Sequence, residues 1–106
     1  MDILFAYITT PDAETARAIG KTLIEEKLAA CVNLLPGMES WYRWKGEIES
    51  ARECVLIAKT RSGLREALQA RVLSLHPYEC PCVVFLPVNG GNPAYLEWIF
   101  HETEKP

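Results

Sequence analysis

Apolar and polar positions along this chain recur with two different periods, and the changes of period divide it into strands and helices. Residues 3–9 are apolar on both faces, which predicts a short strand in the centre of its sheet. Thr10 is the predicted cap of the helix that follows, Pro11 suits its first position, and the helix ends near Leu28. Its predicted apolar stripe recurs at helical spacing and consists of Ala16, Ile19, Leu23 and Ile24.

Residues 28–60 predict one long β-hairpin. An apolar run over 31–35 is interrupted at Pro36-Gly37 and continues to Trp44. Lys45-Gly46 offers a tight reversal, because glycine tolerates the positive φ that such turns need. Each arm has about 14 residues and spans roughly 45 Å, whereas a compact 100-residue domain has a radius of gyration of about 13 Å. The tip is therefore expected to reach outside its own subunit.

The second half of the chain predicts a helix, a strand and a further helix. Ser62 is the predicted cap of the first of these helices, and His76-Pro77 ends it, since the residue before a proline avoids helical φ/ψ. Residues 82–88 form a fourth apolar strand, and Asn92-Pro93 begins a last helix that runs to about residue 102. The buried stripe of the middle helix is predicted to be Leu64, Leu68, Val72 and Leu75.

The order β-α-β-β-α-β with an extra C-terminal helix predicts a single α+β domain over 1–106 with a ferredoxin-like arrangement. That arrangement has an antiparallel four-stranded sheet with two helices on one face. The other face of the sheet lacks helices from the two βαβ units. Trp41, Tyr42 and Trp44 near the hairpin tip are also typical of an association surface. Together these features favour an obligate oligomer of identical chains.

Composition narrows the possible partners and the compartment. The net charge of −3 gives no basic surface for nucleic acid. The uncharged stretch 83–95 is broken by two prolines and two glycines, so we expect no membrane span. The start lacks a basic signal region, and four cysteines in a chain with an ordinary apolar core are expected to be free thiols, so a cytoplasmic location is predicted.

The densest set of possible metal ligands lies where the middle helix gives way to the last strand. His76, Glu79, Cys80 and Cys82 fall within seven residues, and thiolates with imidazole suit Cu(I) and Zn. The alternative is structural: a cysteine behaves as a small buried apolar residue, and His76 can hydrogen-bond the end of its helix. Core packing is also favoured for the two remaining cysteines, Cys31 and Cys54.

A cleft between subunits is predicted around Trp44, Lys59, Tyr78 and Glu79, with His76 beside them. Ligand pockets favour such junctions, where a few polar groups meet an apolar wall. Lys59 is expected either to hold an anion or pair with Glu79, or simply to extend from the sheet edge into water. No Ser-His-Asp, paired-carboxylate or HExxH pattern is present, and Asn89-Gly90-Gly91-Asn92 lacks the spacing of a phosphate loop, so an enzyme is not expected.

The chain resembles a known family in an ordered set of short blocks that covers nearly all of it. The blocks are Leu28-Ala29-Ala30-Cys31-Val32-Asn33, Pro36-Gly37, Ser40, Tyr42, Trp44, Gly46, Lys59-Thr60, His76-Pro77-Tyr78-Glu79, Leu86-Pro87-Val88, Gly91-Asn92 and Tyr95-Leu96-Glu97-Trp98. They are similar to the signature of the CutA family of divalent-cation tolerance proteins. The resemblance implies a cytoplasmic ferredoxin-like homotrimer without enzymatic activity, concerned with copper and other divalent metals and similar in architecture to PII-type signalling trimers. One departure is Pro81-Cys82, where the family commonly has Pro-Glu.

Three functions follow from these expectations. The first is a non-enzymatic homotrimer that binds copper or other divalent or soft metal ions weakly, through His76, Cys80 and Cys82, without requiring a cofactor. The second is a PII-like sensor with a small ligand in its inter-subunit clefts. The third is an assembly module that anchors an unknown protein partner.

Overall fold

The structure, a computed structural model, describes residues 2–104 and contains a four-stranded sheet with three α-helices. The elements in chain order are β1 (Ile3–Thr10), α1 (Ala13–Glu25), β2 (Cys31–Trp44), β3 (Glu47–Arg61), a 3₁₀ turn (Ser62–Leu64), α2 (Arg65–Leu75), β4 (Val83–Val88) and α3 (Pro93–Glu102). The predicted α+β class and the predicted order of elements are confirmed.

The sheet has the strand order β2-β3-β1-β4, and all neighbouring strands are antiparallel. The first strand therefore lies inside the sheet, between β3 and β4, as its apolar residues on both faces predict. Its even-numbered side chains, such as Ala6 and Ile8, are fully buried. They face α1 and α2 and form the core with Ile19, Leu56 and Val72.

The long hairpin is present, with arms of 14 and 15 residues. Lys45 (φ 50°) and Gly46 (φ 83°) both take positive φ, which gives the two-residue turn typical of tight hairpins. One irregularity in the β2–β3 register lies between Leu35 and Met38, at the Pro36-Gly37 interruption. The molecule is 45 Å long and 25 Å wide, so the hairpin gives it an elongated shape.

The odd-numbered side chains of β1 point to the other side of the sheet, which we call the open face. α3 covers one end of it, where the Lys59 ammonium contacts Tyr95 and the Arg61 guanidinium donates to the Thr103 carbonyl (2.8 Å). Beyond α3, none of residues 2–104 covers the face. Leu35, Val84 and Leu86 are 55%, 50% and 52% exposed there, which is unusual for large apolar side chains on a sheet.

The predicted helix starts at Thr10 and Ser62 are wrong. β1 continues through Thr10, whose hydroxyl donates to the Cys54 carbonyl (2.9 Å), and the cap of α1 is Asp12, which accepts from the Thr15 N–H (2.7 Å). Ser62 begins the 3₁₀ turn, so α2 starts three residues later without a side-chain cap. In both places the preceding strand is longer than the pattern indicates.

Two predicted core positions are also wrong. Ile24 and Leu75 are each 38% exposed, because each lies in the last turn of its helix and is only partly covered. α1 ends at Glu25, before the predicted end near Leu28, since Lys27 takes a left-handed φ of 58°. The fourth strand begins at Val83, one residue later than predicted, so Cys82 lies in the loop before it.

Candidate functional site

A cleft of about 550 Å³ lies at the end of the open face that is opposite to α3. Its floor is the sheet, one wall is the distal part of β2, and the other wall is the segment between α2 and β4, residues 76–82. The lining residues are Thr9, Ser40, Trp41, Tyr42, Trp44, Glu53, Tyr78, Glu79, Cys80 and Cys82. The volume and the mixture of aromatic walls with few polar groups are those of a small-ligand site.

His76 anchors the segment 76–82 to the sheet. Its side chain is buried, its Nε2 lies 2.7 Å from the Thr9 carbonyl oxygen, and its Nδ1 accepts from the Tyr78 N–H (3.2 Å). Because a carbonyl only accepts, Nε2 must carry the proton and donate, which is the neutral tautomer that leaves Nδ1 as the acceptor. Both ring nitrogens are thus engaged within the protein, and neither is free to bind a metal in this conformation.

Glu53 and Tyr78 form the polar centre of the cleft. Glu53 is only 9% exposed, and one of its oxygens accepts a hydrogen bond from the Tyr78 hydroxyl (2.7 Å). Burial, followed by this bond and the negative charge of Glu53, raises the pKa of the Tyr78 phenol well above its ordinary value. Tyr78 therefore stays protonated and acts as the donor.

The sequence predictions did not include Glu53. No local pattern in the sequence identifies Glu53 as a cleft residue. It lies just before the apolar run of β3, where a glutamate is ordinarily expected to face solvent. Alternation along β3 places Glu53 on the face opposite to Cys54, and the register shift at Pro36-Gly37 decides which β2 side chain lies opposite it, since Met38 pairs with Glu53 after the shift. The preceding Pro-Gly interruption is the one signal in the sequence that the register of the two arms changes here.

The four cysteines are free thiols, and two of them line the cleft. Cys80 is exposed and Cys82 half-buried, whereas Cys54 is buried in the core and Cys31 is half-buried at the start of β2. Within residues 2–104, no three His, Cys, Asp or Glu side chains are grouped so that they can hold a metal ion. Of the three predicted metal ligands, His76, Cys80 and Cys82, only the two thiols are therefore available in this conformation.

The structure brings three of the predicted cleft residues together and leaves one apart. Trp44, Tyr78 and Glu79 line the same cleft of a single chain. Lys59 lies under α3, where its ammonium donates to the Tyr95 hydroxyl (3.0 Å) and sits 5.4 Å from the centre of the Phe5 ring. Within one chain, Lys59 is thus not a partner for Glu79.

The aromatic side chains near the hairpin tip are exposed. Trp41 is 68%, Tyr42 44% and Trp44 39% exposed.

The Glu79 carboxylate lies 3.9 Å from the Lys45 ammonium, and both side chains are largely exposed to water. A surface ion pair of this kind contributes little to stability, so it fixes neither the tip nor the segment 76–82.

The three α-helices of the described residues offer no candidate for a membrane span, since none is long and apolar enough.

Comparisons with known proteins agree along nearly the whole chain. Residues 4–102 match the family described as "CutA1 divalent ion tolerance protein". The "Divalent-cation tolerance protein CutA" of Thermus thermophilus is 48% identical over 96 residues, which cover 91% of this chain and 93% of the relative. "Protein CutA, chloroplastic" of Arabidopsis thaliana is 43% identical over 94% of this chain, which spans only 55% of that relative's length. The crystal structure of CutA from Xylella fastidiosa superposes with a TM-score of 0.95 at 40% identity, over 98% of this chain and 100% of the other.

Proposed function

Because this chain belongs to the CutA1 family of divalent ion tolerance proteins, we propose that it acts as a non-enzymatic homotrimer in the response to divalent and soft metal ions, copper among them. The observation that carries the metal proposal is that two free thiols, Cys80 and Cys82, line one cleft. A ferredoxin-like fold of the chain is supported by the strand order and by the position of α1 and α2 on one face of the sheet.

Self-association is supported by apolar surface that a single chain leaves in water. The open face exposes Leu35, Val84 and Leu86 by half or more, and the hairpin tip adds Trp41 and Ile48, which are 68% and 65% exposed. Surfaces of this kind mark association sites, and aromatic residues dominate the energetics of such interfaces. Other copies of this chain are the partners that we propose.

Sedimentation tests the oligomer directly. A trimer of the 12.0 kDa chain is expected to persist at micromolar concentration. A stably folded species with the mass of one chain under these conditions would refute the trimer.

The donor set determines which metal ions are suitable. Zn²⁺ in a structural site takes four ligands in a tetrahedron, and the described residues of one chain do not supply such a set. Thiolates are soft ligands that select ions such as Cu(I). We therefore propose weak binding of a soft ion by Cys80 and Cys82, with His76 positioning the segment that carries them.

A competition titration of the reduced protein with Cu(I) tests this assignment. The variant Cys80→Ser/Cys82→Ser is expected to lose the binding, whereas Cys31→Ser is the matched control and is expected to retain it, because Cys31 lies outside the cleft lining. Equal affinities of the wild type and the double variant would remove the site.

A small-ligand sensor is the second candidate, and the cleft of about 550 Å³ favours it.

We also propose that the protein has no enzymatic activity and that it is located in the cytoplasm. The first rests on the lack of a catalytic constellation in the sequence and the second on the family resemblance. Cell fractionation with an antibody to the chain tests the compartment.

A further inference from the structure

We propose that Cys80 and Cys82 of one chain together bind trivalent arsenic, which they take up as arsenous acid, As(OH)₃. The proposal rests on the same pair of thiols as the proposed metal site and adds a second class of ligand to it. It requires no exposed aromatic side chain and no group of a second copy, so it is compatible with the homotrimer.

The number of protein donors selects this ligand. Cys80 and Cys82 are free thiols on the wall of one cleft, and within residues 2–104 no third His, Cys, Asp or Glu joins them in a metal-binding group. Divalent ions such as Zn²⁺ and Ca²⁺ take four or more ligands. Trivalent arsenic can keep one hydroxyl group as its third substituent, so two thiols of the protein are sufficient.

The proline between the two thiols favours a bridged pair over a disulfide. Pro81 has a fixed φ and disfavours a helical conformation of Cys80, and the segment 80–82 lies in neither a helix nor a strand. In an extended chain, side chains two residues apart have Cβ atoms roughly 7 Å apart, whereas a disulfide needs about 3.5–4.5 Å. An arsenic atom between the two sulfur atoms lengthens the link and relieves that strain.

Contacts within one chain hold the segment that carries the thiols. His76 Nε2 lies 2.7 Å from the Thr9 carbonyl oxygen at one end of the segment, and β4 begins with Val83 at the other end. A chelating pair that is held at both ends loses little conformational freedom when it binds a ligand. The pair is therefore in place before arsenic arrives.

Binding is a condensation without a change of oxidation state. Each sulfur atom forms a bond to arsenic, and each thiol proton leaves with one hydroxyl group as water. One arsenous acid and two thiols thus give one (RS)₂AsOH and two waters, and no oxidant or reductant is consumed. Arsenous acid is neutral near neutral pH, so the carboxylates of Glu53 and Glu79 in the cleft lining do not repel it.

Elemental analysis of the assembled protein provides the test. The reduced full chain is equilibrated with arsenous acid without added thiols, and unbound arsenic is removed by gel filtration. We expect one bound arsenic per chain. Arsenate is the control ligand and is expected not to bind, because pentavalent arsenic must be reduced before it forms bonds of this kind and the anion is repelled by the carboxylates. Competition with a small dithiol gives the affinity for arsenous acid.

Single variants locate the binding. Cys80→Ser and Cys82→Ser each remove one of the two bonds to arsenic, and we expect each to weaken binding at least tenfold, a loss of about 1.4 kcal/mol. Neither residue belongs to the buried core cluster, so both variants are expected to fold. Cys31→Ser lies outside the cleft lining and is the matched control, with an expected change of less than twofold (about 0.4 kcal/mol).

Three outcomes would overturn the proposal. They are no bound arsenic, an unchanged affinity in both single variants, and one arsenic per three chains, which would mean that the thiols come from different chains. The Cu(I) titration separates these outcomes from failure of the metal site. Binding of Cu(I) without arsenic removes the arsenic proposal alone, whereas loss of both means that the thiols of the assembled protein are out of reach and removes both proposals.

Discussion

Lys27 shows how a single backbone conformation ends a helix. Its φ of 58° lies in the left-handed region, the Lys27 N–H donates to the Ile24 carbonyl (3.1 Å), and the Leu28 N–H donates to the Leu23 carbonyl (2.9 Å). This pair of bonds is the Schellman motif, in which glycine is the preferred residue at the left-handed position. A lysine there carries strain that its exposed side chain does not offset.

Lys27→Gly is therefore expected to stabilise the protein. Relief of the left-handed strain, about 1–2 kcal/mol, exceeds the entropic cost of a glycine, about 0.5–1 kcal/mol, so we expect a gain of roughly 0.5–1 kcal/mol. The midpoint of urea unfolding measures it. The control is Lys21→Gly in the middle of α1, which is expected to lose about 1 kcal/mol. A loss at both positions would contradict the explanation.

Asp12, the cap of α1, makes the stability of the protein depend on pH. The backbone N–H of Thr15, and then its side chain, lower the pKa of Asp12 below its ordinary value of 3.8. A depressed pKa means that the carboxylate stabilises the folded state above that ordinary value, and that this stability is lost as pH falls through the lower folded value. Asp12→Ala is thus expected to unfold at lower urea than the wild type near neutral pH, with the difference closing in acid.

The matched control for this prediction is Asp12→Asn. An asparagine side chain retains the acceptor of the cap without the titrating charge, so its difference from Asp12→Ala is expected to stay constant with pH. Urea midpoints measured at several pH values test this, and a pH-dependent difference between the two variants would contradict the role of the cap.

Tyr78→Phe removes the donor to a carboxylate that is 9% exposed. We expect a loss of about 1–3 kcal/mol, because Glu53 is left without this hydrogen bond. Because the pKa of Tyr78 is raised in the folded state, its protonated phenol stabilises the folded state fully at pH values below the ordinary pKa of 10.0. This contribution declines as the pH rises beyond that value. The gap between wild type and variant, measured by urea unfolding under reducing conditions, is therefore expected to narrow in alkali.

At the scale of elements, α1 lies unusually close to the sheet at Gly20. A Cβ placed there would lie 3.0 Å from Val32 Cγ2 and 3.2 Å from Leu56 Cδ1. The glycine thus sets the distance between the helix and strands β2 and β3. The apolar stripe of α1 is visible in the sequence, but this spacing is not, since it depends on residues from two other elements.

Gly20→Leu is expected to destabilise the protein by about 1–3 kcal/mol, because the added side chain must displace packed core residues. Thermal unfolding followed by circular dichroism measures the change. Ala18→Leu, two residues earlier on the exposed side of α1, is the control and is expected to change stability by less than about 0.5 kcal/mol. If the two variants have equal stability, the close approach at Gly20 is not what limits packing.

At the scale of the whole molecule, the uncovered part of the open face lies between α3 and the cleft. Leu86 lies there on β4 and is 52% exposed. If copies of the chain cover this surface, a lysine in its place brings an unpaired charge into an apolar interface, which costs several kcal/mol.

Leu86→Lys is expected to weaken self-association by at least about tenfold while each chain remains folded. Leu73→Lys on α2, where the leucine is 44% exposed outside the open face, is the matched control and is expected to leave the oligomer intact. Sedimentation over a range of concentrations measures both. Equal dissociation of the two variants would mean that the open face is not the interface.

The sequence by itself determined those features that a local pattern encodes. The spacing of apolar residues predicts the α+β class and the central position of β1. Lys45-Gly46, together with the two long extended arms, predicts the hairpin. Glycine at a positive φ, proline after a helix and alternation along a strand act over a few residues, so they can be recognised in the chain alone.

The tertiary structure alone added Glu53 to the cleft and fixed the hydrogen bonds within it. The bond of His76 to the Thr9 carbonyl joins residues 67 apart, and Tyr78 reaches Glu53 across 25 residues. Within one chain, Lys59 contacts Tyr95, 36 residues away, and does not contact Glu79. These contacts depend on strand register and on the packing of separate elements, which no short-range pattern in the sequence specifies.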